Sequence, residues 1–506
     1  MDSQPRGPAV PTPRSRAVHR PVGLDQVTIT GGPLGRWQHI NASASIPLGL
    51  EQMEESGALP NLRLAAGDGT GEFAGFRFQD SDLYKQLEAV AWEHGRSPDP
   101  GLAEFIGQSA AVLERAQLDD GYLNSHYQVV RPEKRYAELE YSHEMYCAGH
   151  LFQAAVASAR VGGDEKLLAV ARRFADHLVE EFLHKGNPGI DGHPEVETAL
   201  VELYRLTGKE SYLRLAKHLV DERGKGKIAS SGMGSHYLQD HAPVREADTA
   251  VGHAVRQLYL DAGIVDVYLE TGEESLLECS IRRWEDTVAT KTCLTGGQGS
   301  RHSHEAFGDR YELPPDRAYN ETCAAIAHIF LAWRLLLLTG DGAYRDAVET
   351  ALYNGVLPGL SASGTEFFYQ NPLADAGRHR RQPWFQCACC PPNIARLLAS
   401  LPGYLYTTSE EESGPGVWVQ LYVGNRAEHV LPDGTPVAID LSTGFPTDGR
   451  VEVTVTPKVP ADFTLYLPVP GWATDVTVRL GDEIVEPERR DGYLALTRTW
   501  RAGDTV

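Results

Sequence analysis

Cys147-Ala148-Gly149-His150-Leu151-Phe152-Gln153-Ala154-Ala155-Val156-Ala157-Ser158-Ala159-Arg160 is a helical run. Cys147, Leu151, Ala154, Ala155 and Ala159 recur at three- and four-residue spacing, which puts them on one apolar face. The pattern breaks at Gly163-Asp164-Glu165, where glycine suits a left-handed helix end and the acidic residues suit the next helix N-terminus. The same punctuation returns at Gly208-Lys209-Glu210, Gly272-Glu273-Glu274 and Gly340-Asp341. Each interval is long enough for a helical hairpin with its loops. Helical periodicity runs from about residue 80 to residue 408, so the expected architecture is an α/α barrel, a toroid of helical hairpins.

Outward from this region the texture changes on both sides. Val417–Val423, Val437–Leu441, Val451–Val455 and Phe463–Leu467 are short alternating runs separated by turn residues, as in a β-sandwich. Glu410–Gly416 is the expected linker, with a β-sandwich domain at 410–506. The segment Trp500–Val506 stops where a further strand is expected, so the β part is expected to be incomplete. Residues 1–22, rich in Pro and Arg, are expected to form a flexible arm. A strand at Gln26–Thr30 then leads into a barrel domain ending at residue 409.

The chain has 506 residues, 42% hydrophobic and 23% charged, an ordinary globular mixture able to bury large cores. A net charge of -22 repels phosphate backbones and anionic lipid, which argues against nucleic acid and membrane surfaces as partners. It leaves a neutral small-molecule carbohydrate open. The N-terminal segment lacks the apolar core of a secretory signal, and no run of about 18 apolar residues is found, so a cytoplasmic location is expected. Seven cysteines, three of them at 387, 389 and 390, make a poor disulfide framework and suggest reduced thiols for metal binding or catalysis.

The chemistry concentrates in Cys387-Ala388-Cys389-Cys390-Pro391-Pro392-Asn393. Proline favours the first helical turn, so Cys389 and Cys390 are expected at a helix N-terminus, where the dipole favours thiolate. Asn320-Glu321-Thr322-Cys323 opens another helix, with Asn320 as its expected cap. Glu321 and Cys323 can complete a four-ligand set with Cys389 and Cys390. Three thiolates and a carboxylate suit Zn2+ and disfavour magnesium or calcium. For any lone cysteine, a small buried residue is the commoner role.

These segments resemble glycoside hydrolase family 127, the β-L-arabinofuranosidases. The resemblance is carried by Tyr141-Ser142-His143-Glu144, Gly192-His193-Pro194-Glu195, Val251-Gly252-His253-Ala254, His304-Glu305-Ala306-Phe307, Glu321-Thr322-Cys323, Phe367-Phe368-Tyr369 and Cys389-Cys390-Pro391, in family order. It implies an α/α barrel followed by β-sandwich material. It implies Cys389 as nucleophile, Glu305 as general acid/base, and zinc held by Glu321, Cys323, Cys389 and Cys390. Without it, Glu305 is not separable from Asp309 and Glu312. It also implies sugar contacts from His143, His193, His253 and Tyr369. His150 and His328, on apolar helical faces, are assigned to structure, and Cys387 has no assigned role. Gly296-Gly297-Gln298-Gly299 lacks a phosphate cradle and is expected to shape the loop carrying Glu305. Gly121–Asn124 resembles a barrel-rim loop.

The expected activity is retaining, exo-acting release of terminal β-L-arabinofuranosyl units from oligosaccharides or glycoconjugates, with a homodimer as one admissible assembly. The rivals are a glycosidase for another uncommon furanoside or modified pentoside, a barrel glycosidase or epimerase whose zinc is structural, and a non-catalytic carbohydrate-binding protein.

Overall fold

The computed structural model describes residues 6–163, 165–228, 232–411 and 414–506. Six helices form a closed inner ring: Asp80–Arg96, Glu144–Arg160, Val196–Thr207, Ala254–Thr271, Thr322–Thr339 and Cys390–Ala399. Each packs on the next, and the last returns to the first, so the helical hairpins close into a toroid. Five outer helices alternate with them in sequence: Pro100–Ala116, Glu165–Val179, Glu210–Glu222, Glu274–Thr290 and Gly342–Thr350. The Gly32–Ile40 and Ile46–Glu55 helices back the last inner one.

Sequence sorts inner from outer helices. In Glu165–Val179 the buried apolar residues Leu167, Val170, Ala171, Phe174, Ala175 and Leu178 form one stripe. Thr322–Thr339 is apolar all round and buried on nearly every side, as an inner helix must be. Its mean hydropathy of 1.7 would suit a membrane span, a match the sequence search for an unbroken apolar run passes over, but 89% of it is buried inside the toroid. Gly208, Gly272 and Gly340 take left-handed φ of 69°, 70° and 77° at helix C-termini, as the punctuation implies. At the first signal Gly162 takes that conformation instead of Gly163, and Asp164 lies outside the described residues.

The β part has two main sheets, with Val478–Leu480 and Glu483–Val485 as a separate two-stranded pair. One orders its six strands as Arg20–Pro21, Tyr406–Glu411, Gly414–Val419, Ala461–Pro468, Tyr493–Trp500 and Glu488–Arg490. All its pairs are antiparallel except Gly414–Val419 with Ala461–Pro468. The other orders Asp504–Thr505, Val451–Pro457, Pro436–Thr443, Asn425–Val430 and Val27–Ile29. Val437, Ile439 and Leu441 alternate inward with the partly exposed Ala438 and Asp440 between, the signature of a half-buried strand.

Three expectations are corrected here. Residues 20–21 and 27–29 are strands of the two sheets, so the N-terminal segment supplies sandwich residues that strand counting alone does not reveal. The expected flexible arm is packed from residue 6 onward, with Ala9 and Val10 buried. Its backbone serves the C-terminal ends of inner helices: the N–H groups of Val18 and His19 both donate to Leu337, and that of Arg16 donates to Leu269. Those carbonyls belong to last turns, which lack partners within the helix. Finally, the expected linker at 410–416 is a hairpin between Tyr406–Glu411 and Gly414–Val419, with residues 412–413 outside those described.

Candidate active site

The six inner helices all deliver functional groups from their N-terminal ends. Ser81, Asp82 and Lys85 come from the first turns of Asp80–Arg96, and His143 immediately precedes Glu144–Arg160. His193 lies just before Val196–Thr207, and His253 caps Ala254–Thr271. Glu321 and Cys323 open Thr322–Thr339, and Cys389 and Cys390 open Cys390–Ala399. Pro391 and Pro392 occupy that helix's first turn, as expected. Six positive dipole ends therefore converge on one cavity of about 240 Å³, a field that favours thiolates and carboxylates.

Four side chains able to ligate a metal meet at one wall. Cys323 Sγ lies 3.6 Å from Cys389 Sγ and 3.3 Å from Cys390 Sγ, and the last two are 3.7 Å apart. Glu321 Oε1 is 3.4 Å from Cys389 Sγ and 3.7 Å from Cys390 Sγ. Zinc–sulfur bonds of about 2.3 Å at tetrahedral angles call for sulfurs about 3.7–3.8 Å apart, so the donor set fits zinc in chemistry and spacing. The other Glu321 oxygen, Oε2, is buried without a hydrogen-bond partner. Burial first, then the sulfur of Cys389 and the carboxylate of Glu305, push the Glu321 carboxyl well above its ordinary range. A bound cation would relieve both conditions. Cys323 and Cys390 are buried, whereas Cys389 is half-buried and lines the cavity. The Tyr369 hydroxyl is 2.9 Å from the Cys389 sulfur and is the donor whenever that sulfur is a thiolate.

Glu305 lies on the loop between the Glu274–Thr290 and Thr322–Thr339 helices. Its Oε2 is 2.7 Å from His253 Nε2, and Tyr319 donates its hydroxyl to Oε1 at 2.8 Å. Burial alone raises the Glu305 pKa, but these bonds outweigh it and hold the carboxyl below its ordinary range. The His253 ring is fixed from its other side, where Nδ1 faces the Arg256 N–H at 3.5 Å, so Nε2 carries the proton given to Glu305. Eight described non-glycine residues take left-handed φ, and four of them are His143, His304, Glu305 and Asn320. Such a conformation is costly for a branched chain and clusters where side chains must be aimed. Gly299, at φ 82°, accepts the Asn320 N–H and links the glycine-rich turn to the loop that carries Glu305.

The structure separates the three carboxylates that sequence leaves equivalent. Asp309 and Glu312 both pair with Arg301, away from the cavity, and only Glu305 lines it. His143, His193, His253 and Tyr369 all line the cavity. Burial, followed by the nearby Arg256, lowers the pKa of His143 and His193 far enough to keep both rings neutral, able to donate and accept. His150 and His328 stay outside it, and Cys387 lines it.

Two expectations fail. Asn320 does not cap its helix: Glu321 holds that position, and Asn320 precedes it at φ 43°. Nor do residues 121–124 form the rim: Tyr122 is fully buried and donates to Glu144 at 2.5 Å, bracing the turn behind His143. Sequence reasoning missed Tyr319, Arg256, Tyr146, Ser81, Asp82 and Lys85. Tyr319 stands one residue before the Asn320–Cys323 segment, a proximity that could have drawn attention to it. The others carry no signal beyond their closeness to helix starts.

Comparison with known proteins finds relatives along almost the whole chain. The model of the β-L-arabinofuranosidase GH127 catalytic domain matches residues 26–403, and that of the GH127 middle domain matches 416–506. A non-reducing end β-L-arabinofuranosidase of Bifidobacterium longum subsp. longum is 37% identical over 493 residues, covering 89% of this chain and 73% of the relative. A crystal structure of a GH127 β-L-arabinofuranosidase from Geobacillus stearothermophilus T6 superposes with a TM-score of 0.90 at 38% identity, covering 95% of this chain and 80% of that one. A further GH127 β-arabinofuranosidase structure gives 0.89 at 36% identity, covering 97% and 80%.

Proposed function

The chain belongs to glycoside hydrolase family 127, the β-L-arabinofuranosidases, and from that premise we propose that it releases terminal β-L-arabinofuranosyl units with retention, using Cys389 as nucleophile and Glu305 as acid/base. The observation that carries the mechanism is that one part-exposed sulfur and one loop carboxylate, each held by further partners, face the same cavity. At about 240 Å³ that cavity lies below the range of drug-sized ligands and suits a single sugar ring. That capacity supports exo action on oligosaccharides or glycoconjugates.

Glu321, Cys323, Cys389 and Cys390 would hold zinc, which supplies positive charge that keeps the sulfurs deprotonated and in place. In the first step the Cys389 sulfur attacks the anomeric carbon while Glu305 gives its proton to the departing glycosidic oxygen. The carbon–oxygen bond breaks, and a thioglycosyl enzyme with a carboxylate at Glu305 remains. In the second step Glu305 removes a proton from water as the water oxygen attacks the same carbon. The carbon–sulfur bond breaks, the sulfur departs as thiolate, and Glu305 is again protonated. Two inversions give net retention. Most retaining enzymes place a second carboxylate where this site has a sulfur.

The free site holds Glu305 as the base. A glycoside that takes over the His253 contact removes one of the bonds favouring the anion, and burial then favours the acid that the first step needs. Neutral His143 and His193 are suited to the ring hydroxyls.

The test is hydrolysis of a chromogenic β-L-arabinofuranoside, followed by proton NMR, with zinc measured on each sample. Wild type should first release the β anomer and carry about one zinc, as a four-ligand site requires. Glu305→Gln should keep its zinc and lose roughly 10²–10⁴-fold in kcat. Cys389→Ser should be inactive. Robust turnover by folded Cys389→Ser would overturn the mechanism and make any metal structural.

A further inference from the structure

The cavity has a graded exposure that the chemistry above does not use. The Glu305 side chain, beside the scissile bond in the proposed function, is 31% exposed, whereas those of Asp82 and Lys85 are 6% and 2% exposed. Glu305 is thus the more open of these groups, and the first turns of the Asp80–Arg96 helix belong to the buried part of the lining, as Glu321 and Cys323 do. All three of Ser81, Asp82 and Lys85 line the cavity there.

Their polar groups are incompletely satisfied. Ser81 is buried and its Oγ has no hydrogen-bond partner. A buried hydroxyl in that state has lost its hydration with nothing in return, a condition that folded proteins rarely tolerate without a ligand or water. Lys85 Nζ has two long contacts, 3.5 Å to Asp82 Oδ1 and 3.3 Å to the Tyr146 hydroxyl, out of three N–H donors. Asp82 Oδ2 accepts from Gln79 at 3.1 Å, which anchors the carboxylate and leaves it further lone pairs. A hydroxyl, an ammonium and a carboxylate side by side offer both donors and acceptors. That combination matches neighbouring sugar hydroxyls, each of which gives one hydrogen bond and accepts others.

We propose that Ser81, Asp82 and Lys85 form a hydroxyl-recognition subsite on the buried wall of the sugar cavity, binding ring hydroxyls and excluding sugars substituted there. The assignment rests on the cavity being the sugar site. It makes the exo preference a consequence of the Asp80–Arg96 helix, since a chain extended from those hydroxyls would meet buried protein.

The test uses zinc-loaded protein and two probes. Inhibition of wild type, Ser81→Ala and Lys85→Met by L-arabinose reads the cavity without relying on which residues react. Calorimetry in a Glu305→Gln background then compares a chromogenic β-L-arabinofuranoside with its 2-deoxy, 3-deoxy and 5-deoxy analogues. Ser81→Ala and Lys85→Met should each weaken the parent glycoside about tenfold or more. Each should bind one deoxy analogue as well as the unsubstituted background does, because the hydroxyl it serves is already missing. Equal loss across all analogues, or no loss on the parent, overturns the subsite. Ser81→Ala removes a single oxygen and keeps the test decisive if Lys85→Met fails to fold. If wild type binds neither L-arabinose nor the glycoside, the sugar-cavity reading itself falls. Binding that is tight in wild type and unchanged in both variants removes this subsite alone.

Discussion

At Glu305 burial pulls toward the neutral acid and two hydrogen bonds pull toward the carboxylate. Tyr319 supplies one of those bonds. Tyr319→Phe removes a donor that stabilises the charged form, so the Glu305 pKa should rise. The acid of the first step and the base of the second titrate on this one carboxyl. The whole pH–rate profile should therefore move to higher pH, rather than simply lose height; an unmoved profile would show that Tyr319 does not tune Glu305. That Glu305 and not Asp309 or Glu312 stands here is invisible to residue spacing. Arg301 collects the other two through a loop path that only the folded backbone defines. Cys389 and Cys390 were legible as a site because adjacent cysteines before a Pro-Pro helix start have few other uses. Ser81 and Lys85 were not, because a serine and a lysine at a helix start usually face water.

Helix ends are where sequence and structure agree best. Gly208 and Gly340 both close helices in the left-handed conformation, but their surroundings differ. A Cβ at Gly208 meets nothing within 4 Å, whereas one at Gly340 would lie 2.9 Å from His19 Nε2. Gly208→Ala should cost about 1 kcal/mol from the backbone alone. Gly340→Ala should cost more, because the N-terminal segment must shift as well. Chemical denaturation of the two variants checks the order, and equal costs would show that the His19 contact yields freely. The Thr322–Thr339 helix carries a second test in His328, which is buried beside Gln298 and Trp284. Burial lowers its pKa from 6.5 to about 4. The unfolded chain therefore binds a proton below pH 6.5 that the folded protein refuses until about pH 4. The contribution of the neutral ring is fully present above pH 6.5 and is lost as pH falls toward 4, amounting to about 3 kcal/mol. His328→Gln should flatten the fall in stability over that window. Denaturation midpoints at pH 4.5, 5.5 and 6.5 for both proteins measure it, and parallel slopes would contradict it.

Across the whole molecule the two mouths of the toroid are treated differently. The N-terminal mouth is left open as the cavity. The C-terminal mouth receives the segment before the first strand, whose amides meet Leu337 and Leu269 while Arg160 donates to the Gly7 carbonyl at 2.8 Å. Removing residues 1–19 should lower stability by about 3 kcal/mol or more, from those hydrogen bonds alone. Zinc content and kcat of the remaining folded protein should be unchanged, since the deletion lies at the mouth opposite the cavity. An undiminished thermal midpoint would show that the segment only rests on the barrel.

What the sequence by itself determined is local: helical periodicity, glycine helix ends, alternating strands, and two short segments of possible metal ligands at helix starts, 320–323 and 387–393. Each of these depends on neighbours within a few residues, where backbone geometry and side-chain size act directly. Tertiary structure alone decided that the ring closes, that the N-terminal segment joins both sheets and packs on one mouth, that Ser81 and Lys85 line the cavity with Glu305 and Cys389, and that Tyr319 holds Glu305. Those relations join residues up to some four hundred positions apart, and a fold brings them together through burial of apolar helix faces, which is blind to the order of residues along the chain.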